Sequence, residues 1–355
     1  MTDYAALFRE LAVPRLVGTP NHARVRETLT RELTARGFTV ETHAFVAAPT
    51  RLAAVALVGV VIAWGAIGTV LLLFLSPHSS AVRVGWVLTV IAVAMHVLLT
   101  ARARSGAEAT VQGVNLIARR PQRPPAAWLT AHYDSKGQPI SMATRLIAVV
   151  LAISGVAGLV AHGAVALGVL VEPPPINAVL LTLPALVGGI LLAQNRATDG
   201  SPGAVDNASA LVTIFMILDR LPREADVGVV FPDAEELGLV GARALVEDRR
   251  VQFGEAGVVN FDGIDDAGRP IAFLHRAGPL GRALAAELGA DRARWLPVLV
   301  DGIELAVAAR ECVTIMKGGW ATTRIVHTPD DTPDRLTLAG AREVAEGVAR
   351  VLARP

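Results

Sequence analysis

Four long apolar runs without a formal charge limit what this chain can fold into. Leu52–Leu75 covers 24 residues, Val84–Ala101 18, Leu146–Val171 26 and Ile176–Ala193 18. A helix crossing the hydrocarbon core of a bilayer needs roughly 20 apolar residues, with about 17 as the lower limit. All four runs therefore read as transmembrane helices. Buried core helices of a large soluble protein are also apolar all round, but they seldom run this long without one charge. The runs come as two pairs with short connections, SPHSSAVR and EPPPIN, which suits two transmembrane hairpins. Gly59, Gly65, Gly68 and Pro184 inside them are better tolerated in lipid than in water. Composition agrees. Charged residues make up 18% of the chain, against about a quarter in a soluble domain.

The flanking charges suggest an orientation. Arg51, Arg102, Arg104, Arg145 and Arg196 lie at the ends that lead to the rest of the chain, whereas the hairpin tips hold Arg83 and Glu172. The positive-inside rule places the remainder in the cytoplasm. The opening residues MTDYAALFRELAVPRLVGTP contain acidic side chains and no apolar core behind a basic start, so they do not read as a signal peptide. A net charge of +1 gives no reason to expect a nucleic acid partner. The single cysteine, Cys312, lies in the apolar run Cys312–Met316. It reads as a buried structural thiol rather than a nucleophile.

Removing residues 51–101 and 145–193 leaves 255 residues, made of 1–50, 102–144 and 194–355. This remainder reads as one α/β domain. Asn21–Arg36 has helical spacing, with Asn21 as the expected N-cap and Gly37 as the stop. Phe38–Phe45, Val114–Ala118, Ala127–Ala131, Val227–Phe231 and Gly257–Phe261 read as strands. Asn207–Leu221 and Ala341–Leu352 read as helices. Strands alternating with helices imply a mostly parallel sheet covered on both faces.

Three of these strands lead into metal-capable side chains. One ends in Ala131-His132-Tyr133-Asp134, one in Asp233-Ala234-Glu235-Glu236 and one in Asn260-Phe261-Asp262. Ligands of open α/β sheets bind beyond the carboxyl ends of the strands, so three segments bring His, Glu and Asp to one rim. Gly203-Ala204-Val205-Asp206-Asn207 and His327-Thr328-Pro329-Asp330-Asp331 add two more candidates. Taken singly, each has a plainer reading. An Asp before a helix is usually a cap, and a Glu pair on a loop is usually solvated. Of the other histidines, His96 and His162 lie in apolar helices, while His22, His43, His78 and His275 lack a partner pattern and read as surface residues.

In order along the chain, AHYDS, PGAVDNAS, DAEELGLVGA, NFDGI and HTPDDT resemble the motifs of the di-zinc aminopeptidase family. That family includes secreted bacterial and fungal aminopeptidases, glutamate carboxypeptidases and glutaminyl cyclases. The stretch PRLVGTPNHARVRETLTRELTARGF is similar to the family's opening helix. The resemblance implies a three-layer αβα zinc exopeptidase domain with a mostly parallel mixed sheet, here carrying two inserted transmembrane helical hairpins. It implies two zinc ions bridged by Asp206, with His132 and Asp262 completing one and Glu236 and His327 the other. Glu235 would be the general base. Asp134 would hold His132 in its ligating tautomer, as metal-bound histidines commonly require, and Asp331 would do the same for His327. The Asp206–Asn207 peptide would match the family's cis bond.

Two departures are visible. Val326 stands where the family often has tyrosine, and DGIELAVAARECVTIMKGGW differs from the usual substrate-pocket sequence. The expected activity is aminopeptidase action on short peptides at a lipid bilayer. The alternatives are a glutaminyl cyclase-like acyltransferase using one zinc and a non-catalytic membrane scaffold. A transporter would rest on the four runs alone, with no charge inside them to mark a pathway. The second hairpin lies between His132 and Asp206, where compact relatives have a short loop. It is expected to act as a lid or to bring the membrane surface near the cleft.

Overall fold

The computed structural model describes residues 2–47, 50–75, 80–103, 111–120, 124–165, 175–294 and 298–354. His78, Arg104 and Glu172 lie outside the described residues. The chain divides into two compact units, one of residues 1–49, 108–138 and 197–355, the other of residues 50–107 and 139–196.

The first unit is built on an eight-stranded mixed sheet. Its strands are β1 (Thr39–Ala47), β2 (Val111–Arg119), β3 (Ala127–Thr130), β4 (Val227–Phe231), β5 (Gly257–Ile264), β6 (Arg269–Arg276), β7 (Asp291–Ala293) and β8 (Glu311–Gly318), in the order β1-β2-β4-β3-β5-β8-β6-β7. The centre, β4-β3-β5-β8, is parallel, and β2 and β6 join it antiparallel on either side. The central strands are apolar on both faces because helices cover both faces.

On one face Ile117, Trp128, Val230, Val258 and Cys312 pack against Ala242, Leu245 and Phe253 of the helix Val240–Phe253. Alternate residues point to the other face, where Phe231 meets Phe215 of the helix Ser209–Leu218 with ring centroids 5.9 Å apart. β4 therefore pairs on one side of β3 and β5 on the other, and the helices linking them lie on opposite faces. That reversal opens a crevice at the carboxyl ends of the strands. Cys312 is buried, as its apolar run suggests.

Local capping differs from the sequence expectation. The helix Pro20–Ala35 is capped by Thr19, whose hydroxyl accepts from the His22 N–H at 3.4 Å. Pro20 takes the first helical position, where its fixed φ is favourable and no N–H is needed. Asn21 instead uses its amide to donate to the Pro14 carbonyl at 2.9 Å.

The second unit consists of the helices Thr50–Leu75, Ser80–Ala103, Met142–Ala164 and Pro175–Ala193. Three are long and apolar enough to cross a membrane, over Val55–Leu72, Met142–Ala164 and Ile176–Ala193. Among its described residues the remaining helix offers the apolar segment Val84–Val97. Their outward side chains are large and apolar, with Trp64 66% and Ile153 64% exposed. Small residues stand at their closest approaches, with Leu159, Leu192 and Ile62 packed around them. A Cβ on Gly189 would come within 2.7 Å of the Ala63 nitrogen, and one on Gly188 within 2.6 Å of the Ala148 carbonyl oxygen. Backbones that approach this closely gain van der Waals contact where the hydrophobic effect gives helices no reason to associate. Trp86 adds an interhelical hydrogen bond, its indole N–H donating to the Gly65 carbonyl at 2.9 Å.

Candidate metal centre

Five chain segments converge beyond the ends of β3, β4 and β5. His132 and Asp134 follow β3, Glu235 and Glu236 follow β4, and Asp262 lies near the end of β5. Asp206 sits in the turn Ala204–Ala208 before the helix Ser209–Leu218, and His327 follows the helix Trp320–Ile325. A buried row of hydrogen bonds holds the strands in register. Thr130 donates to the Asn260 side-chain oxygen at 2.8 Å, and Asn260 donates to the Thr314 hydroxyl at 3.2 Å. Thr130 and Asn260 lie two residues before His132 and Asp262, so strand alternation directs those two toward the same face.

Asp206 is the centre of the arrangement. Its Oδ1 is 3.1 Å from His132 Nε2 and its Oδ2 is 3.1 Å from His327 Nε2. Glu236 Oε2 lies 3.2 Å from the same His327 nitrogen, and Glu235 Oε2 lies 3.9 Å from His132 Nε2. Donor atoms of His132, Asp206 and Asp262 fall within 4.8 Å of one another, and so do those of Asp206, Glu236 and His327. Three buried atoms in this cluster, His132 Nε2, Asp206 Oδ1 and Glu236 Oε1, have no hydrogen-bond partner. The first two are close but not aligned as donor and acceptor, which suits two ligands turned toward a common cation. Nitrogen and oxygen donors in this number fit a zinc-type ion at each of the two groups.

The supporting hydrogen bonds are backbone-directed. The Asp134 carboxylate accepts the N–H groups of Glu235 at 3.2 Å and Glu236 at 3.1 Å. Its carbonyl lies 3.2 Å from His132 Nδ1 and its Oδ1 3.4 Å from the same nitrogen. Asp331 does not hold His327. Its carboxylate accepts from the N–H of Val205 at 2.8 Å and of Asp206 at 3.2 Å, because it faces the start of that turn. The partner of His327 Nδ1 is the Gln138 side-chain oxygen, at 3.0 Å. The Asp206–Asn207 peptide is cis. Ala234 and His327 have φ of 55° and 67°, a left-handed conformation costly for residues with a side chain and concentrated at functional sites.

Burial and crowding separate the acids. Burial disfavours the charged form of His132, but Glu235, Asp134 and Asp206 outweigh it and hold its pKa well above the usual value. Asp206 falls well below the carboxylate range despite its burial, because both histidines act on it. Glu235 is pushed well above that range by burial, with Glu236, Asp262 and Asp301 adding to it. Glu236 goes the other way, to about 2, as His327 and Lys136 overcome its burial. Two adjacent carboxyls thus differ in the sense that distinguishes a proton carrier from a ligand.

Several partners were not apparent from the sequence. Lys136 Nζ lies 2.6 Å from Glu236 Oε2. Asp301 is buried with neither carboxylate oxygen hydrogen-bonded, and burial together with nearby acids raises it to about 7. Arg15 is fully buried and donates to the carbonyls of Val13, Tyr133, Pro202 and Gly203, joining the segments that carry His132 and Asp206. Lys136 and Gln138 follow directly on the His132 motif, which was the available signal. Asp301 lies in the stretch that departs from the family sequence, and nothing marked it.

Three histidines expected at the surface are elsewhere. His22 is buried, 2.7 Å from Asp233 and stacked on Tyr133. His43 is buried between Asp248 and Asn115. His275 is half-buried against Thr314, and burial lowers its pKa to about 4. Each found its partner from a distant segment, which local sequence pattern does not show.

Residues 187–352 match the profile of peptidase family M28. The match contains Asp206, Glu235, Glu236, Asp262 and His327, whereas His132 and Asp134 precede it. No curated protein matches the sequence. Solved structures with the same fold include a Zn-dependent exopeptidase from Parabacteroides distasonis, 14% identical with TM-score 0.57, covering 99% of this chain and 97% of that one. An aminopeptidase from an Aneurinibacillus species is 13% identical with TM-score 0.53, covering 98% and 92%. Porphyromonas gingivalis glutaminyl cyclase is 14% identical with TM-score 0.55, covering 98% and 95%. The resemblance to the di-zinc aminopeptidases is thereby shown. At these identities the structural likeness concerns the fold.

Proposed function

We propose, from the premise that residues 187–352 match the profile of peptidase family M28, that the protein is a membrane-anchored zinc aminopeptidase. The observation that carries the proposal is the pair of donor groups sharing Asp206, each of whose oxygens faces a different histidine. His132, Asp206 and Asp262 would hold one zinc ion, and Asp206, Glu236 and His327 the other. Bound zinc supplies a Lewis acid that polarises a carbonyl and acidifies water.

The remaining work falls to the chain. Glu235, placed beside His132 but outside both donor groups, takes the proton of the attacking water and returns it to the leaving amine. Asp134 keeps His132 in its ligating tautomer and fixes the Glu235–Glu236 backbone through the two N–H groups it accepts. Gln138 orients His327, and Asp331 orients the Asp206 turn. A free-amine substrate suits the surplus of acids, Glu235, Asp262 and Asp301, around one half of the site.

The four apolar runs are read as four spans forming two hairpins, with the arginines of their flanks placing the catalytic unit in the cytoplasm. Reporter fusions at positions in each unit would give the opposite sidedness if this orientation were wrong. A glutaminyl cyclase-like activity is the second reading, on the strength of the shared fold. A scaffold role is disfavoured by the full complement of donors and base.

The deciding experiment incubates detergent-purified full-length protein with aminoacyl, N-acetylated and N-terminal glutaminyl peptides, with chelator and then with restored zinc. Zinc-restored cleavage confined to free-amine substrates is the expected result. Ammonia release from the glutaminyl peptide without cleavage would replace the aminopeptidase reading with the cyclase one.

A further inference from the structure

The two halves of the donor cluster differ in charge. Around His132, Asp206 and Asp262 stand Glu235 and Asp301, and both oxygens of Asp301 are buried without a hydrogen bond. On the other side, Glu236 already has a cation. Lys136 Nζ lies 2.6 Å from Glu236 Oε2 and 3.3 Å from the Glu236 carbonyl, and only 6% of the lysine is exposed. The choice of a lysine is notable in this chain. Lys136 and Lys317 are its only lysines, beside 31 arginines. An ammonium is a compact point charge that fits beside one carboxylate oxygen, where a guanidinium would need room for a planar fork.

We propose that Lys136 makes the two ion positions unequal, so that the position of His132, Asp206 and Asp262 fills first. The position of Asp206, Glu236 and His327 then holds its ion more loosely and exchanges it with the surroundings. The inference rests on the metal-centre reading above. The physical reason is direct. A divalent ion at the second position must share Glu236 with a buried positive charge 2.6 Å from its Oε2, and like charges in a low-dielectric interior repel strongly. Lys136 is thus a positioning residue for Glu236 and a brake on the second ion. Catalysis that needs both ions would follow zinc availability through this position.

The test is zinc titration of metal-stripped, detergent-purified full-length protein by calorimetry, with bound zinc counted after equilibrium dialysis. The wild type is expected to bind in two steps, the second at least about tenfold weaker, which is about 1.4 kcal/mol. His132→Ala should remove the tight step and His327→Ala the weak one. Lys136→Gln should tighten the weak step about tenfold or more and leave the tight step in place. Lys136→Met, which also removes the charge and keeps an unbranched side chain, should tighten the weak step as Lys136→Gln does, an outcome that a purely structural role for the lysine would not give. Two equal steps in the wild type would overturn the proposal without any variant being needed. So would a tight step lost in His327→Ala, or a Lys136→Gln protein with unchanged steps. Failure to bind zinc at all would instead remove the metal-centre reading, and this inference with it.

Discussion

The two units of this chain place charged and large apolar side chains differently. In the sheet unit, charged groups lie inside. Arg15, Asp134, Asp331 and Lys136 are all under a tenth exposed, and each is hydrogen-bonded to a backbone group or an opposite charge. In the helical unit, large apolar side chains such as Trp64 and Ile153 lie outside, and glycine and alanine stand where the backbones approach most closely. The difference shows what each unit uses for cohesion. The sheet unit rests on an apolar core, with a polar site whose groups must be paired because isolated buried charges are very costly. The helical unit relies on close backbone packing, as expected where the surroundings are themselves apolar.

Four substitutions would break or sharpen this contrast. The largest effect is expected from Glu235→Gln, which removes the proton carrier and keeps the shape. Hydrolysis should fall by about a thousandfold in kcat, within the range for general acid–base catalysis, while zinc content and melting behaviour stay as in the wild type. Next is Arg15→Met. Four carbonyls, those of Tyr133 and Gly203 among them fully buried, lose their donor, and unfolding in denaturant should show a loss of about 3 kcal/mol, accompanied by reduced zinc retention because the His132 and Asp206 segments are no longer tied. The same kind of change in the helical unit acts through volume alone. Gly188→Leu should cost about 1–3 kcal/mol by overpacking, read as a lower aggregation temperature in detergent, with little change in zinc content.

The smallest effect concerns pH. The Asp266 carboxylate accepts from the Thr337 N–H and hydroxyl and from the Gly340 N–H at 2.6–2.9 Å. It lies at the start of the helix Ala339–Leu352. Although partial burial opposes it, these hydrogen bonds hold its pKa below the usual 3.8. A depressed pKa contributes stability above the unfolded value and loses it as pH falls through the folded value. Asp266→Asn should therefore lower stability at neutral pH by under about 1 kcal/mol, given its partial exposure, and flatten the decline below pH 4.

Much of this organisation was legible in the residues. The apolar runs and the five ordered motifs needed no tertiary information, because uninterrupted hydropathy and strand-end ligands are local patterns. The sequence shows strands β1 to β5 with small shifts at their ends. It does not show β6, β7 and the helix Val240–Phe253, since their sequences mix polar and apolar residues without a clear period. The roles of Asp331 and Gln138 depend on which loop faces which, and that is set by the sheet order. His22 and His43 were misplaced for the same reason: each is buried by a carboxylate more than 200 positions away. In the helix Ser80–Ala103 the described apolar segment is Val84–Val97, and the expected run continues past it to Ala101.

The proposed function turns on Asp206 being shared by two cation positions. The most direct measurement is anomalous diffraction at the zinc edge from crystals of the full-length protein grown with zinc. Two peaks flanking Asp206, one beside His132 and Asp262 and one beside Glu236 and His327, are the predicted result. A single peak away from Asp206, or zinc bound outside these five side chains, would contradict it.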